Sequence, residues 1–422
     1  MTITSIVKQP KKIFRSRILP GILVIVFALL MFLLFGLDTA AGQKATFGLN
    51  PTYTTQALPI PNLALPVRPS IYILILITVF VGSWQMARGV RSTSLLVGIV
   101  AITFVFSFLL WATQDKSFSL LGMLNSSLVR ATPIALAALC GVMSERSGVV
   151  NIAIEGILLL SAEAAVISAS LTHNLYIGLI TAILTGGAIA AFHAVLAIRF
   201  KVNQIVSGVA INIFAVGATS FVSARFLEKN IDLLNNSGTF KIIPIPLLAK
   251  IPVLGPVLFE NNIIVYIMLF LVVLLHIVLF YTPWGLRTRA VGEHPKAADT
   301  VGINVFLTRY VDVIIGGMIA GVGGAYFTIG AVGRFDEMMT AGKGFIGLAA
   351  MIFGNWNPLG AFASSLIFGF ADSLQVKMQI LQVPIPSEFL LMAPYIVTMI
   401  VLAGVVGRAI PPAADGEVYE KN

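Results

Sequence analysis

Long runs of apolar residues alternate with short polar connections along most of this chain. A membrane-spanning helix needs about 20 mostly apolar residues, because each residue rises about 1.5 Å through hydrocarbon about 30 Å thick. The pattern predicts an all-α fold, a polytopic integral membrane helical bundle with about 10–12 transmembrane helices. Its candidate spans are 18–37, 70–87, 93–112, 119–142, 150–171, 175–198, 203–225, 261–281, 310–330, a short 344–354, 359–376 and 389–406.

The composition agrees with a protein whose main solvent is lipid. Of the 422 residues 58% are hydrophobic and 11% are charged, whereas soluble domains carry about 25% charged residues. This balance excludes a large soluble domain. The single cysteine, Cys140, lies in an apolar run and excludes both an intrachain disulfide and a cysteine-based metal site; no metal site is expected.

Basic residues separate unevenly across the predicted spans. With the N-terminus inside, the inner pieces hold 16 Lys and Arg and the outer pieces hold ten. Short inner loops that carry basic residues resist translocation, so both termini are predicted to be cytoplasmic. The first apolar run is too long for a typical signal peptide and is interpreted as an uncleaved span in the cell membrane. Two Pro-rich outer loops, 38–69 and 226–260, are expected to be irregular.

Polar side chains enter the otherwise apolar stretch from Ser144 to Ala165. Asn151 and Glu155 are four residues apart and share a helix face. Glu163 follows two turns later. A carboxylate at the centre of a spanning helix costs roughly 2.5–3.5 kcal/mol on insertion scales, so such residues face the bundle interior or a polar path. The pattern favours a path through a discontinuous helix; the alternative is that Glu155 only hydrogen-bonds a neighbouring helix.

A second polar face follows in the span 203–225, where Gln204, Gly208 and Asn212 recur every four residues. This face suits a neutral polar solute or an interhelical hydrogen-bond seam equally well. Further along, Gly317, Gly321 and Gly324 have the small-residue spacing that lets helix backbones approach closely. The alternative use of these glycines is a kink.

The polar stretch Pro283–Val305 contains a predicted short helix. Pro295 suits its first turn and Gly302 suits the position just past its end. Its small side chains predict docking to another protein; an ordinary amphipathic surface helix is the alternative. The residues assigned to this surface are Gly285, Arg287, Arg289, Gly292, Glu293, Pro295, Ala297, Ala298 and Gly302.

The sequence has no catalytic motif of the common kinds. The Gly342-Lys343 pair is followed by Gly344 and lacks the other residues of a phosphate-binding loop. No zinc-protease or serine-hydrolase motif is present either. The chain is therefore not expected to be an enzyme, and any ATP hydrolysis would take place in a separate subunit.

Three stretches together resemble the permease subunits of ABC importers for branched-chain amino acids, simple sugars and nucleosides. They are SERSGVVNIAIEG at 144–156, NQIVSGVAINIFAVGATSF at 203–221 and GLRTRAVGEHPKAADTVGINV at 285–305. The stretch 344–369 is similar to later helices of the same family, and the first stretch looks most like the nucleoside branch. The resemblance covers 119–408, which leaves 1–118 as an N-terminal extension with about three spans and 409–422 as a cytoplasmic tail.

The resemblance implies inward transport of nucleosides of the purine type. It also implies a second permease chain, a cytoplasmic ATPase that binds ATP and Mg²⁺, and an extracytoplasmic solute-binding protein. Residues 285–305 would be the loop that touches the ATPase. Nucleosides are uncharged, so their path needs amides and aromatic faces, and its candidate residues are Asn151, Glu155, Glu163, Gln204, Asn212, Phe214 and Phe221.

The alternatives are a sugar or branched-chain amino acid permease of the same kind, or a stand-alone ion-coupled transporter that uses Glu155 or Glu163. A membrane-embedded enzyme is disfavoured because the catalytic motifs are missing.

Overall fold

The computed structural model describes residues 18–50, 60–89, 93–392 and 409–421. Within these ranges ten helices are long and apolar enough to cross a membrane. The predicted class, an all-α polytopic membrane bundle, is confirmed. Most of the expected last span, 389–406, lies outside the described residues.

The helix bounds follow the hydropathy pattern closely. In chain order the helices are α1 Leu19–Met31, α2 Val67–Ala87, α3 Thr93–Ala112, α4 Leu120–Arg146, α5 Ile154–Thr172, α6 Leu175–Ala194, α7 Gln204–Val222, α8 Ile231–Leu234, α9 Leu254–Leu258, α10 Ile263–Tyr281, α11 Pro283–Glu293, α12 Pro295–Thr300, α13 Val305–Ala325, α14 Lys343–Phe353, α15 Pro358–Ile380 and α16 Ser387–Leu391. Four helices continue with wider π-helical turns: α1 to Gly36, α6 to Arg199, α7 to Leu227 and α13 to Val332.

The first of two compact units contains α1 to α3 and a small sheet. Its central strand β1, Lys44–Gly48, pairs antiparallel with β2, Leu63–Pro66, and parallel with β3, Ser117–Ser119. The prediction of an irregular loop over 38–69 is therefore wrong for these two strands. Pro66 fits the end of β2 because an edge strand leaves one side of its backbone without a ladder partner.

The second unit contains α5 to α14. Its outer loop 226–260 is also less irregular than expected, because it holds α8, α9 and two short strands, β4 Ile243–Pro244 and β5 Glu260–Asn261, that pair antiparallel. The doubtful span at 344–354 is the 11-residue helix α14. At about 1.5 Å per residue it is about 16 Å long, half of what a membrane crossing requires.

Helices α6 and α13 approach each other through glycines in the second unit. A Cβ on Gly317 would overlap the Cβ of Ala190 and the carbonyl oxygen of Gly186. A Cβ on Gly321 would overlap the carbonyl oxygen of Ala182. Gly324 makes a similar approach to α5. Helices in a membrane associate largely by van der Waals packing, so these contacts contribute directly to the stability of the bundle.

We expect Gly317→Ala to lower the thermal stability of the detergent-solubilised protein, by about 1–3 kcal/mol, because the added methyl group forces the two backbones apart. Gly217→Ala is the matched control, because a Cβ on Gly217 of α7 has open space around it. Alanine has the higher helix propensity, so the control should be neutral or slightly stabilised. Equal shifts of the two melting temperatures would contradict the close approach at Gly317.

Candidate functional site

A break in the helical backbone separates α4 from α5. Residues 147–153, called the helix break below, form turns and irregular backbone. Gly148 has a φ of +84°, in the left-handed region that favours glycine. A Cβ there would lie 2.9 Å from the Arg309 guanidinium and 3.0 Å from the carbonyl oxygen of Ala414. Gly148 therefore turns the chain and also permits a close approach by two other segments.

Side chains from α6 and α7 bind the backbone at the centre of the helix break. Gln204 accepts a hydrogen bond from the Val150 N–H at 2.7 Å. His193 Nε2 lies 3.0 Å from the Val150 carbonyl oxygen, and its Nδ1 lies 3.0 Å from the Ser207 hydroxyl. A carbonyl only accepts, so Nε2 donates and Nδ1 accepts from Ser207. The backbone N–H and carbonyl of Val150 therefore both have hydrogen-bond partners, which lipid cannot supply.

Asn212 of α7 ties the helix break to the start of α5. Its Oδ1 accepts from the Gly156 N–H at 2.8 Å, and its Nδ2 donates to the Ile152 carbonyl oxygen at 2.8 Å. One amide therefore satisfies a free donor and a free acceptor on the two sides of the break. Asn212 and Gln204, which share a predicted polar face, both act on the backbone of residues 150–156.

Asn151 stabilises the helix break from inside. Its side chain is fully buried. Its Oδ1 accepts from the Ala153 N–H at 3.1 Å, and its Nδ2 lies 3.4 Å from the Ser144 hydroxyl and 3.7 Å from the Cys140 sulfur. This is a local turn of the kind that Asn favours. Asn151 therefore bonds to residues within and just before the helix break. Because it lies before the start of α5, it does not share a helix face with Glu155.

Glu155 binds the N-terminus of the short helix α14. Its Oε1 accepts from the Thr340 hydroxyl at 2.7 Å and from the Gly342 N–H at 2.8 Å, and its Oε2 accepts from the Gly344 N–H at 2.6 Å. A carboxylate suits this position because free N–H groups and the helix dipole favour negative charge there. A Cβ on Gly344 would lie 2.7 Å from the Cα of Glu155, so glycine is required for this contact.

Glu163 lies on the same helix as Glu155 but in a different environment. Its side chain is 5% exposed, and Oε1 has no hydrogen-bond partner in the part of the chain that the structure describes. Burying such a group inside a membrane protein costs free energy, and residues of this kind commonly have a function. Of the two glutamates, Glu163 is the one with a buried carboxylate oxygen that lacks a hydrogen-bond partner among the described residues.

The two aromatic candidates do not join this cluster. Phe214 and Phe221 are each 64% exposed on the outer side of α7. They lie on the same helix as Asn212, but Asn212 is buried and the two rings face outward. The structure therefore brings together Asn151, Gln204, Asn212 and the start of α5, and places the aromatic rings elsewhere.

One charged cluster was not predicted. Asp372 of α15 pairs with Arg130 of α4 at 3.2 Å and with Lys343 of α14 at 3.0 Å. Two cations on one carboxylate leave one positive charge in excess in this cluster, in which Asp372 and Lys343 are mostly buried and Arg130 is more exposed. The sequence signal was available, because Arg130 and Asp372 stand within apolar spans, and charged residues there are rarely without a partner or a role.

The stretch 283–305, called the two-helix segment below, contains α11 and α12. The Thr282 hydroxyl accepts from the Gly285 N–H at 3.3 Å and caps α11, and His294 Nδ1 accepts from the Ala297 N–H at 3.3 Å and caps α12. Gly302, with a φ of +86°, follows the end of α12. The predicted short helix is thus present, with Pro295 at its first position.

Four of the nine residues assigned to docking are buried against the rest of the chain, and Ala298 is one of them. Ala298 is buried in an apolar cluster with Val291, Val305 and Tyr419, so it packs inside the chain and is not available for docking. Ala297 is exposed, and Val301 is 75% exposed. One residue along a helix turns by about 100°, so adjacent alanines point toward different neighbours.

The remaining residues assigned to the two-helix segment divide between these faces. Three of them are buried against the rest of the chain: Gly285, Gly292 and Pro295. Arg289 is half-buried, and its guanidinium lies 5.1 Å from the centre of the Phe280 ring. The other three are exposed: Arg287, Glu293 and Gly302. The surface that remains free is therefore a mixture of charged side chains and exposed apolar ones.

Residues 123–409 match the family described as the branched-chain amino acid transport system / permease component. The match includes the helix break, both glutamates of α5 and the two-helix segment. This chain belongs to that family. It is a transport component and not an enzyme, and ATP hydrolysis belongs to separate subunits.

Several relatives of this permease carry substrate names. The guanosine ABC transporter permease protein NupQ of Bacillus subtilis is 41% identical over 70% of this chain and 95% of its own length. The nucleoside ABC transporter permease protein NupC of Lactococcus lactis is 39% identical over 70% of this chain and 95% of its own length. The putative glucose ABC transporter permease protein TsgC13 of Haloferax volcanii is 35% identical over 61% of this chain and 78% of its own length.

A second guanosine permease of B. subtilis also matches this chain, at 24% identity over 62% of it and 75% of the relative. No solved structure matches this permease.

The contrast between the two glutamates of α5 is testable. Glu155→Gln should lower the thermal stability of the purified permease by about 1–3 kcal/mol, because a glutamine must turn its NH₂ toward one of three donors. Glu163→Gln is the matched control on the same helix and should cause no loss, because Oε1 there has no donor to lose. Melting temperatures in one detergent give the comparison, and a larger loss at Glu163 would reverse our assignment.

Proposed function

We propose that this chain is a permease subunit of an ABC importer that takes up nucleosides, with purine nucleosides as its substrates. The observation that carries the proposal is the 41% identity to a guanosine permease across 95% of that relative's length. The nucleoside relative from L. lactis supports it at 39% over the same share. The glucose relative has lower identity and lower coverage, so sugars are the second candidate.

The chemistry of the helix break supports a neutral solute. The polar side chains that α6 and α7 bring there are two amides, a hydroxyl and one imidazole, with Gln204 and Asn212 bound to the backbone. The charged Arg309 binds the break at a different residue, Ser147. The amides, hydroxyl and imidazole suit an uncharged substrate with many donors and acceptors. The aromatic candidates Phe214 and Phe221 face outward in this chain and would reach a solute only if another subunit closed over α7.

The geometry of Glu155 argues against the ion-coupled alternative. A proton carrier must release and rebind its proton during each cycle, yet both oxygens of Glu155 are held by three donors at the start of α14. Glu163 is the remaining carboxylate for such a role. An importer driven by ATP needs no titrating carboxylate, so a fixed Glu155 agrees better with it.

The proposed assembly follows from the family and the basic residues. The two-helix segment would lie on the cytoplasmic side, as would both termini, and would contact an ATPase that binds ATP and Mg²⁺. A second permease chain would complete the path, as the second guanosine permease of B. subtilis suggests. An extracytoplasmic solute-binding protein would deliver the nucleoside.

The decisive experiment is ATP-dependent uptake by proteoliposomes that contain the permease pair, its ATPase and its binding protein. We expect labelled guanosine to accumulate when ATP is present, and excess inosine to compete while glucose and leucine do not. A matched assay with a proton gradient and no ATP should give no accumulation. Uptake of glucose alone would favour the sugar alternative, and uptake that needs the gradient but not ATP would contradict the proposal.

The docking surface can be tested separately. Val301→Asp should prevent co-purification of the ATPase, because it places a charge on the most exposed apolar side chain of the two-helix segment. Val332→Asp is the control: Val332 is 53% exposed at the far end of α13, the transmembrane helix that follows the two-helix segment, and its replacement should leave ATPase binding intact. Normal binding by the Val301 variant would show that this segment is not the docking site.

A further inference from the structure

Residues 409–421, called the tail below, bind two separate parts of the chain at once. The Ala414 N–H donates to the carbonyl oxygen of Gly292 in the two-helix segment at 2.9 Å. Two residues later the Gly416 N–H donates to the carbonyl oxygen of Gly148 in the helix break at 3.3 Å. The tail therefore connects these two elements through its own backbone.

The tail is anchored by a buried aromatic residue. Tyr419 is 6% exposed and belongs to the apolar cluster with Ala298 and Val305. Its ring lies 5.3 Å from the ring of Phe306, a distance typical of aromatic pairs. The contact places the tail against the buried side of the two-helix segment, where Ala298 lies, whereas Ala297 and Val301 are exposed.

Arg309 of α13 fastens the tail and the helix break together. Its Nε donates to the Ser147 carbonyl oxygen at 3.1 Å, and a terminal nitrogen donates to the Glu417 carbonyl oxygen at 2.9 Å. Its side chain is 3% exposed. One guanidinium thus binds both segments in a fixed geometry, which its planar set of donors allows.

Exposed ion pairs also attach the tail to the rest of the chain. Lys421 of the tail pairs with Asp299 of α12 at 3.5 Å, and Lys201 pairs with Glu420. Burial raises the pKa of the Asp415 carboxyl to about 6, while a hydrogen bond with Glu145 and the charge of Arg309 oppose the rise. The tail thus brings a carboxyl group into the interface against a desolvation cost, which the remaining contacts must offset.

We propose that the tail is a coupling strap: Tyr419 and Arg309 are positioning residues that hold the two-helix segment against the helix break, so that movement of α12 reaches residues 147–153. The inference rests on the proposed function for the source of that movement. Without the strap, the ATPase subunit would still hydrolyse ATP, but the helix break would no longer follow the movement of α12.

The first test uses the permease alone, so it does not depend on the proposed function. Hydrogen exchange in detergent should rise in peptides that cover 147–153 and 283–305 when Tyr419 is replaced by Ala. Tyr419→Phe keeps the ring and should restore protection. Val418→Ala is the matched control, because it shortens a neighbouring side chain that is 46% exposed. Unchanged exchange at 147–153 in the Tyr419→Ala variant would overturn the strap.

The second test measures coupling in proteoliposomes. For Tyr419→Ala we expect the nucleoside transported per ATP hydrolysed to fall at least fivefold, with ATP hydrolysis within twofold of the unaltered complex. Tyr419→Phe and Val418→Ala should keep the normal ratio. A normal ratio in Tyr419→Ala would overturn the proposal, as would loss of ATPase binding, which would make the tail part of the docking surface. Failure of the unaltered complex to couple ATP to uptake would instead contradict the proposed function.

Discussion

A backbone polar group inside a membrane bundle must find its hydrogen bond within the protein, because lipid offers none. The helix break is the place where this constraint is hardest to meet, since residues 147–153 leave the helical hydrogen-bond ladder. Gln204, His193 and Asn212 meet it by binding the backbone around Val150, Ile152 and Gly156. The stability of the helix break therefore depends on a few side chains from α6 and α7.

The same constraint explains the buried carboxylate of Glu155. The helix α14 begins against α5, and its first N–H groups have no partner within the helix. Glu155 supplies acceptors for two of them and for the Thr340 hydroxyl. The half-length helix and the buried charge, each unfavourable in lipid by itself, are therefore stabilised by each other. Close glycine contacts between α6 and α13 provide the rigid frame around them.

The two-helix segment gains its position from contacts on its hidden side. Gly292 lies so close to the Arg146 carbonyl that a Cβ there would overlap it, and Ala298 packs on Tyr419. Gly292 and Ala298 thus have small side chains because they pack closely within the chain. The exposed face instead carries Ala297 and Val301. The proposed docking surface thus rests on the helix break on one side and on the tail on the other.

The sequence by itself determined the membrane class, the bounds of the long helices and the short helix that begins at Pro295. These features follow from local patterns, because hydropathy reports the solvent that surrounds a segment and Pro and Gly report the backbone at one position. Only the tertiary structure decided which polar groups meet. Glu155 and Thr340 are 185 residues apart along the chain, and no local pattern distinguishes Glu155 from Glu163, Ala297 from Ala298, or the inward Asn212 from the outward Phe214. Each difference depends on what packs against that face, and distant segments supply those neighbours.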